Sequence, residues 1–374
     1  MMAPVLSLRN VSVAFGFGRT PRESAPVQVT DKVSFDIYSG EFFALVGESG
    51  CGKSVSAMSI LRLLPTPSAR IVDGEILFNE TADCRGEESV AVSGVDLAKL
   101  PLEKLQKIRG SRITCIFQEP MQALNPVVRI KKQLLEVFKF GGCSVPDPLQ
   151  EIRRMLSLAG FTDPDRVLES FPHELSGGML QRICIVMALL PKPRLIIADE
   201  PTTALDVTVQ AQVLAVLKDM AEKMGTAVLL ITHNMGIVSE YAHRVAVMYA
   251  GRIVEMGPVA DVISSPLHPY TQGLLAAIPE SHQGMKTLES IPGSVPQPRD
   301  FAAGCRFADR CKVCAAGSAA LQAKCRSAEI PPQLGHGAVS PPQLELGAVL
   351  PPNGADSASD VRRVHFAHCF KDSL

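Results

Sequence analysis

Neither sign of charge prevails in this sequence. Its 374 residues carry 37 Lys and Arg against 38 Asp and Glu, a formal net charge of −1. That balance supplies no global field to draw the chain to nucleic acid or to an anionic membrane, and no nucleic-acid partner is expected. Long apolar runs are also missing: none approaches the ~20 residues of a membrane-spanning helix, and the first residues lack a basic-then-apolar signal. The chain is therefore expected to be soluble and intracellular, meeting a membrane only by docking onto a protein within it. Its length has room for about two or three domains. Cysteine is not scarce, but it is unevenly placed. Cys51, Cys84, Cys115, Cys143 and Cys184 are scattered, whereas Cys305, Cys311, Cys314, Cys325 and Cys369 crowd the tail. In a reducing compartment such clustering suggests metal more than disulfides.

What is present organises itself around Gly47-Glu48-Ser49-Gly50-Cys51-Gly52-Lys53-Ser54. An apolar run, Phe42 to Val46, precedes it, and a helix-compatible run, Val55 to Leu61, follows. Strand, glycine loop and helix form the context that a G-x-x-x-x-G-K-[ST] phosphate loop requires. Gly47, Gly50 and Gly52 let successive N–H groups, including that of Ser49, converge on phosphate oxygens, and the helix turns its positive end toward the same anion. Lys53 is expected to reach the β- and γ-phosphates, and the Ser54 hydroxyl to ligate Mg²⁺. Cys51 reads either as a small filler or as a thiol activated by the helix N-terminus.

Upstream, Val5 to Leu8, Val11 to Phe15 and Val33 to Ile37 read as short strands with period-2 apolar positions. Phe15 reads either as a stacking platform for an adenine ring or as a core aromatic. Downstream, the helix leaving the loop stops at Pro65-Thr66-Pro67, and Gly74 to Phe78 suggests another strand. Leu97, Leu100, Leu102, Leu105 and Ile108 predict an amphipathic helix from Leu97 to Arg109. Ile113 to Phe117 is a strand-like run ending in Gln118-Glu119-Pro120, and helical patterns follow around Ile130 to Phe138 and Leu149 to Leu158. Residues 95–190 thus read as a mainly helical subdomain set into an α/β framework of residues 1–94 and 191–258. Ser176 is a good cap for a long helix that Gly177, Gly178 and Gln181 help to open.

Leu195 to Glu200 is a buried parallel strand ending in two carboxylates. Residues beyond the carboxyl ends of such strands face the ligand crevice of an open α/β sheet. Asp199 can there hold Mg²⁺ and Glu200 can polarise an attacking water. A helix from Thr208 to Lys223 leads to the strand Ala227 to Thr232, which ends at His233 on the same edge.

In their order and spacing these motifs resemble the ATP-binding subunits of ABC transporters, over roughly residues 5–255. Gly47–Ser54 resembles Walker A, Gln118 the Q-loop glutamine, Leu175–Gln181 the family signature, Leu195–Glu200 Walker B, Ala204-Leu205-Asp206 the D-loop and His233 the switch histidine. Phe15 falls where the family has its adenine-stacking aromatic, with about ten residues inserted after it. The resemblance implies a P-loop NTPase of ABC type with an inserted helical subdomain, acting on ATP and Mg²⁺ in a head-to-tail dimer. Ser176, Gly177, Gly178 and Gln181 would then act on the partner's nucleotide, and Asp206 of the D-loop would be among the nucleotide-binding residues. Glu200 would be the catalytic base, His233 would contact the γ-phosphate, and Gln118 would join Mg²⁺ or the water to the transporter-facing helices. Two positions depart from the pattern: Leu180 stands where Arg or Lys is common, and Asn234 where Asp is usual.

A finer resemblance, to the dipeptide/oligopeptide (and nickel) uptake branch, rests on Phe117 to Met121, Pro201 to Gln210, Val247 to Gly251, His268 to Thr271, Ile291 to Pro296 and Gly304 to Phe307. It implies a partner ATPase, usually a paralogue, with two membrane permeases and an extracytoplasmic solute-binding protein, at the cytoplasmic face of the cell membrane. Residues 259–374 then form an importer-type extension. A soluble ABC protein of DNA repair or translation usually carries coiled coils or tandem cassettes, which this chain does not display. Cys305, Cys311, Cys325 and Cys369 resemble the branch's cysteine module, which in some members binds a [4Fe–4S] cluster; Cys314 competes with Cys325. Four thiolates suit Fe–S or Zn²⁺, and unmetallated thiols or a metal or redox sensor are the alternatives. Within residues 331–352 the unit Pro331-Pro332-Gln333-Leu334 recurs at Pro341, and this Pro-rich repeat is expected to be an extended spacer.

Overall fold

Two β-sheets divide the strands of this computed structural model, which describes residues 3–17, 26–80, 94–141, 145–203, 205–277, 291–327 and 366–367. The Pro-rich spacer, Ala204 and Cys369 lie outside the described residues. In chain order the strands are β1 (Leu6–Phe15), β2 (Val27–Ile37), β3 (Phe42–Val46), β4 (Ala69–Phe78), β5 (Val95–Asp96), β6 (Ile113–Ile116), β7 (Leu195–Asp199), β8 (Ala227–Thr232), β9 (Arg244–Tyr249), β10 (Arg252–Pro258) and β11 (Phe366–Ala367). The smaller sheet is antiparallel in the order β2-β1-β4-β5, and the larger runs β11-β10-β9-β3-β8-β7-β6. In the larger sheet β9, β3, β8, β7 and β6 are mutually parallel, while β10 and β11 add on antiparallel. Parallel strands carry helices on both faces and so become continuously apolar. All five residues of β3 and all six of β8 are accordingly buried.

Two expectations change. The runs Val5 to Leu8 and Val11 to Phe15 are parts of one strand, β1, whose register slips between Leu8 and Val11. Asn10 takes φ 51° there, and Gly74 on β4 takes φ 91° opposite it. The bulge absorbs the break in alternation that separated the two runs. The helix expected from Leu97 begins only at Leu102, after Pro101. Val95–Asp96 pairs instead with Leu77–Phe78, and the Asp96 carboxylate accepts the N–H groups of Ile76 and Ala98 at 3.1 and 3.0 Å. That side chain holds the backbone extended, and a proline, having no N–H, is best tolerated where the helix starts.

Within residues 95–190, β6 belongs to the large sheet and pairs with β7. Apart from β5, which pairs with β4, the other elements there are helical, chief among them Ile130–Phe140, Pro148–Leu158, Pro164–Glu169 and the long Gly177–Leu189. They bury Leu134, Ile152, Leu156, Ile183 and Leu189 against the helix Val207–Met224 and the outer face of the sheet, forming one apolar core. A second core fills the space between the two sheets around the helix Lys53–Ile60. A third lies on the other flank, where Tyr249, Tyr270, Phe307, Cys311, Cys314 and Cys325 pack against β9, β10 and Val46. Residues 291–327 thus close over the same sheet that supports the phosphate loop.

Candidate functional site

β3 ends at Val46 and the loop Gly47 to Gly52 carries the chain into the helix Lys53–Ile60. Gly52, φ 106°, is the residue that enters the helix, a left-handed geometry that a side chain resists. A Cβ on Gly47 would lie 2.2 Å from the Met248 carbonyl oxygen, so β9 presses against the loop and admits only glycine. Above Gly50 there is open space, and Ser49, Gly50 and Ser54 are exposed. The Lys53 ammonium is buried and donates to the carbonyls of Gly47 and Glu48 at 2.8 and 3.0 Å. The N–H groups of Lys53 and Ser54, in the first helical turn, have no intrahelical acceptor. A cationic side chain, orphan amides and an open cradle fit the phosphates of a nucleotide.

β7 and β8 deliver the acidic and basic groups to the same edge. The Ser54 hydroxyl donates to Asp199 Oδ1 at 3.0 Å, which joins a hard hydroxyl and carboxylate pair suited to Mg²⁺. Burial pushes the Asp199 carboxyl above its ordinary value; the Ser54 bond opposes this, the Glu200 charge adds to it, and Lys53 counters. A bound divalent cation would reverse that balance and favour the carboxylate. Glu200 lies just past the strand with φ 44°, a left-handed conformation held by its N–H on the Ile231 carbonyl at 3.0 Å. Its two carboxylate oxygens meet Thr203 Oγ1 at 3.0 Å and His233 Nδ1 at 3.3 Å. His233 is more than half exposed while Glu200 is mostly covered, so the pair opens onto solvent from the protein side.

Lys53, Ser54, Asp199, Glu200 and His233 are thus brought together. Gln118, exposed two residues beyond β6, stands past the same end of the sheet as Asp199. Ser176, Gly177 and Gly178 are not part of that group. They line a separate depression of about 320 Å³ with Arg182, Leu205 and Asp206, to which no phosphate-loop residue contributes. The Ser176 hydroxyl caps its helix through the Met179 N–H at 3.4 Å, and Asp206 caps the next through Val209 N–H at 2.9 Å. Ser176, Gly177 and Asp206 are exposed, whereas Gln181 is 1% exposed, so its side chain is enclosed within its own protomer. Leu180, one of the two departures, is buried in the helical core.

Phe15 closes β1, half-buried, and packs on the inter-sheet core. Cys51 is buried and burial pushes its thiol up despite Lys53 beside it, which makes it a filler of the loop and not an activated nucleophile. Thr203 was not singled out by the sequence; its spacing of three from Glu200, in a turn closed by Thr203 N–H on the Glu200 carbonyl at 3.1 Å, is the local signal for it. In the tail, Cys311, Cys314 and Cys325 are buried and Cys305 half-buried. The Cys305 N–H donates to the Cys325 carbonyl at 2.7 Å, and Cys311 Sγ accepts from Cys314 N–H at 3.3 Å. Among the described residues, no group of three or more His, Cys, Asp or Glu is disposed to hold a metal ion. The described thiols therefore do not by themselves fit an Fe–S or zinc centre.

Comparison with known proteins agrees with the motifs. A family model described as ABC transporter matches residues 30–203, and one described as Oligopeptide/dipeptide transporter, C-terminal region, matches residues 254–317. The chain is 46% identical to the probable peptide ABC transporter ATP-binding protein y4tR of Sinorhizobium fredii, over 77% of this chain and 83% of that one. It is 45% identical to the dipeptide transport ATP-binding protein DppD of Bacillus subtilis, over 83% and 87% of the two chains. Among solved structures it is similar to the dimeric ATP-binding cassette MJ0796 bound to ADP and Pi, with a TM-score of 0.54 and 25% identity over 68% of this chain and 98% of that one. The chain belongs to the ATP-binding proteins of ABC transporters, in the group that carries the oligopeptide/dipeptide transporter C-terminal region.

Proposed function

We propose that this chain hydrolyses Mg-ATP to drive uptake of di- or oligopeptides through a membrane permease pair, at the cytoplasmic face of the membrane. The observation that carries the hydrolytic part is the convergence of Lys53, Ser54–Asp199 and Glu200–His233 at one end of a parallel sheet. The match of residues 254–317 and the peptide-transport relatives support the choice of solute.

In this reading the orphan amides and Lys53 bind and orient the phosphates, and Ser54 and Asp199 hold Mg²⁺, which neutralises charge on the transferring group. Glu200, with one oxygen tied to Thr203 and the other toward His233, is oriented to accept a proton from the attacking water. His233 fixes that carboxylate and reaches the γ-phosphate. Gln118 relays nucleotide state to the helices facing the permease; flanking it in the chain, Phe117, Met121 and Val127 are 45%, 46% and 78% exposed, apolar side chains available for a protein contact. Because Ser176 to Gly178 and Asp206 lie apart from the phosphate loop, they serve the nucleotide of a second ATPase, a paralogue in this proposal. Gln181, being enclosed, supports that surface from within. A solute-binding protein outside the membrane supplies the peptide. The tail thiols carry no step.

Uptake of a labelled oligopeptide in cells lacking this gene tests the proposal. Wild-type protein is expected to restore uptake and Lys53→Ala to leave it at background. Uptake unaffected by loss of the gene would contradict the assignment.

A further inference from the structure

The C-terminal region does more than cover the sheet: it grips the phosphate loop at Glu48. The Arg310 guanidinium meets the Glu48 carboxylate with both arms, Nη1 to Oε2 at 2.8 Å and Nη2 to Oε1 at 3.0 Å. Its remaining donors are also used, Nε on the Pro292 carbonyl at 2.7 Å, Nη2 on the Gly293 carbonyl at 3.2 Å and Nη1 on the Tyr249 hydroxyl at 3.3 Å. Arginine has five N–H groups in a fixed fork, and all five directions end on an acceptor. Arg310 is 8% exposed and Glu48 30%. A second tie comes from Tyr270, whose hydroxyl accepts the Glu48 backbone N–H at 2.9 Å. Tyr270 is fully buried, its ring 4.6 Å from that of Tyr249 and 5.4 Å from that of Phe307.

The third handle on Glu48 belongs to the loop itself. Its carbonyl accepts the Lys53 ammonium at 3.0 Å and the Cys51 N–H at 3.3 Å. A displacement of Glu48 therefore displaces the acceptor that positions Lys53 and folds the glycine turn. Four residues before Arg310, Arg306 holds the opposite wall. It donates to the Ala250 carbonyl and pairs with Asp31 at 2.9 Å, while Gly251 N–H, next to Ala250, donates to the Cys51 carbonyl at 2.7 Å. The stretch Cys305 to Cys311 thus fastens both flanks of the phosphate loop.

The geometry points to Arg310 and Tyr270 as positioning residues for the phosphate loop, through which the C-terminal region sets the affinity of this chain for the nucleotide's phosphates. The inference rests on the nucleotide-binding reading above. Neither residue touches the nucleotide; both act through Glu48. A fork that uses every donor is not reproduced by lysine, a point charge with three donors. Charge-assisted hydrogen bonds of this kind are the strong ones, and removing one partner leaves a half-buried carboxylate unpaired beside an anion site.

Two variants and two readouts test this on the full chain. The first readout is the Kd for a fluorescent, non-hydrolysable ATP analogue with Mg²⁺. The second is amide hydrogen exchange of the Gly47–Ser54 segment in nucleotide-free protein. Arg310→Ala is expected to raise the Kd about tenfold, and Tyr270→Phe, which deletes one oxygen, about threefold. Both should speed exchange across the segment, and Arg310→Lys should recover only part of the affinity. In steady-state hydrolysis KM should rise more than kcat falls. Unchanged Kd and unchanged exchange in both variants would overturn the inference, as would a lowered Tm with unchanged Kd, which marks a merely structural tie. If Arg310→Ala does not fold, Tyr270→Phe alone decides by the same two readouts. A wild-type chain that binds no nucleotide would instead sink the ATPase reading, and exchange in Tyr270→Phe would still report on the tie.

Discussion

Burial decides what each reactive side chain of this protein can do. Cys115 and Cys184 have their thiols pushed from 9.0 up to about 12 by burial, and Cys51 is raised by the same cause against the pull of Lys53. A thiol must ionise to act as a nucleophile, so these three are expected to resist iodoacetamide at pH 8 in the folded protein and to react once it is denatured. Mass-spectrometric mapping checks this, and rapid labelling of native Cys51 would contradict it. The linked pH effect has a definite sign. The folded chain keeps the Cys115 and Cys184 protons that the unfolded chain sheds near 9, so these residues weaken the fold as pH rises from about 9 toward 12. At this scale the order of the motifs anticipated a geometric fact: Ser54 meets Asp199, and Glu200 meets His233, past the strand ends. It could not reveal that Gln181 is enclosed, because the burial of a helix position depends on what packs over it in three dimensions, which spacing along the chain does not report.

The elements that hold the site depend on a few backbone positions with no freedom. At the bulge joining the two halves of β1, Gly74 takes φ 91°, and a Cβ there would lie 2.4 Å from the Asn10 carbonyl oxygen. Gly74→Ala must therefore both strain the backbone and push β1 from β4, and is expected to cost roughly 2 kcal/mol or more. A thermal or urea melt against wild type measures it, and an unchanged midpoint would contradict the bulge as described. The bulge was not legible in the sequence, where a broken period looks like two strands, and the register is set by pairing with β4 across the sheet. Pro101 stands inside the helix that the periodicity of Leu97 and Leu100 predicts, and its missing N–H favours a helix start there instead. Asp96 accepts the Ala98 N–H two residues on, but its bond from the Ile76 N–H joins segments twenty residues apart, which periodicity does not report.

Across the whole molecule, one sheet carries function on three sides. Its parallel strands deliver the phosphate loop and the acidic pair to one end. The helices of residues 95–190 pack one face and carry the Ser176–Gly178 surface away from that loop. The C-terminal region seals the other flank through Tyr249, Tyr270 and Phe307 and holds Glu48. Under the proposed function both surfaces are walls of a nucleotide site, and they do not face each other within this chain. In the proposed function, closure against a second ATPase completes the site, and Glu200 is the group that then takes the proton from water. The direct test is steady-state hydrolysis by Glu200→Gln, which preserves shape and removes the base. The account predicts a fall in turnover of at least about 100-fold, with Mg-ATP still bound and the ATPase dimer stabilised on size-exclusion chromatography. Turnover equal to that of wild type would contradict it.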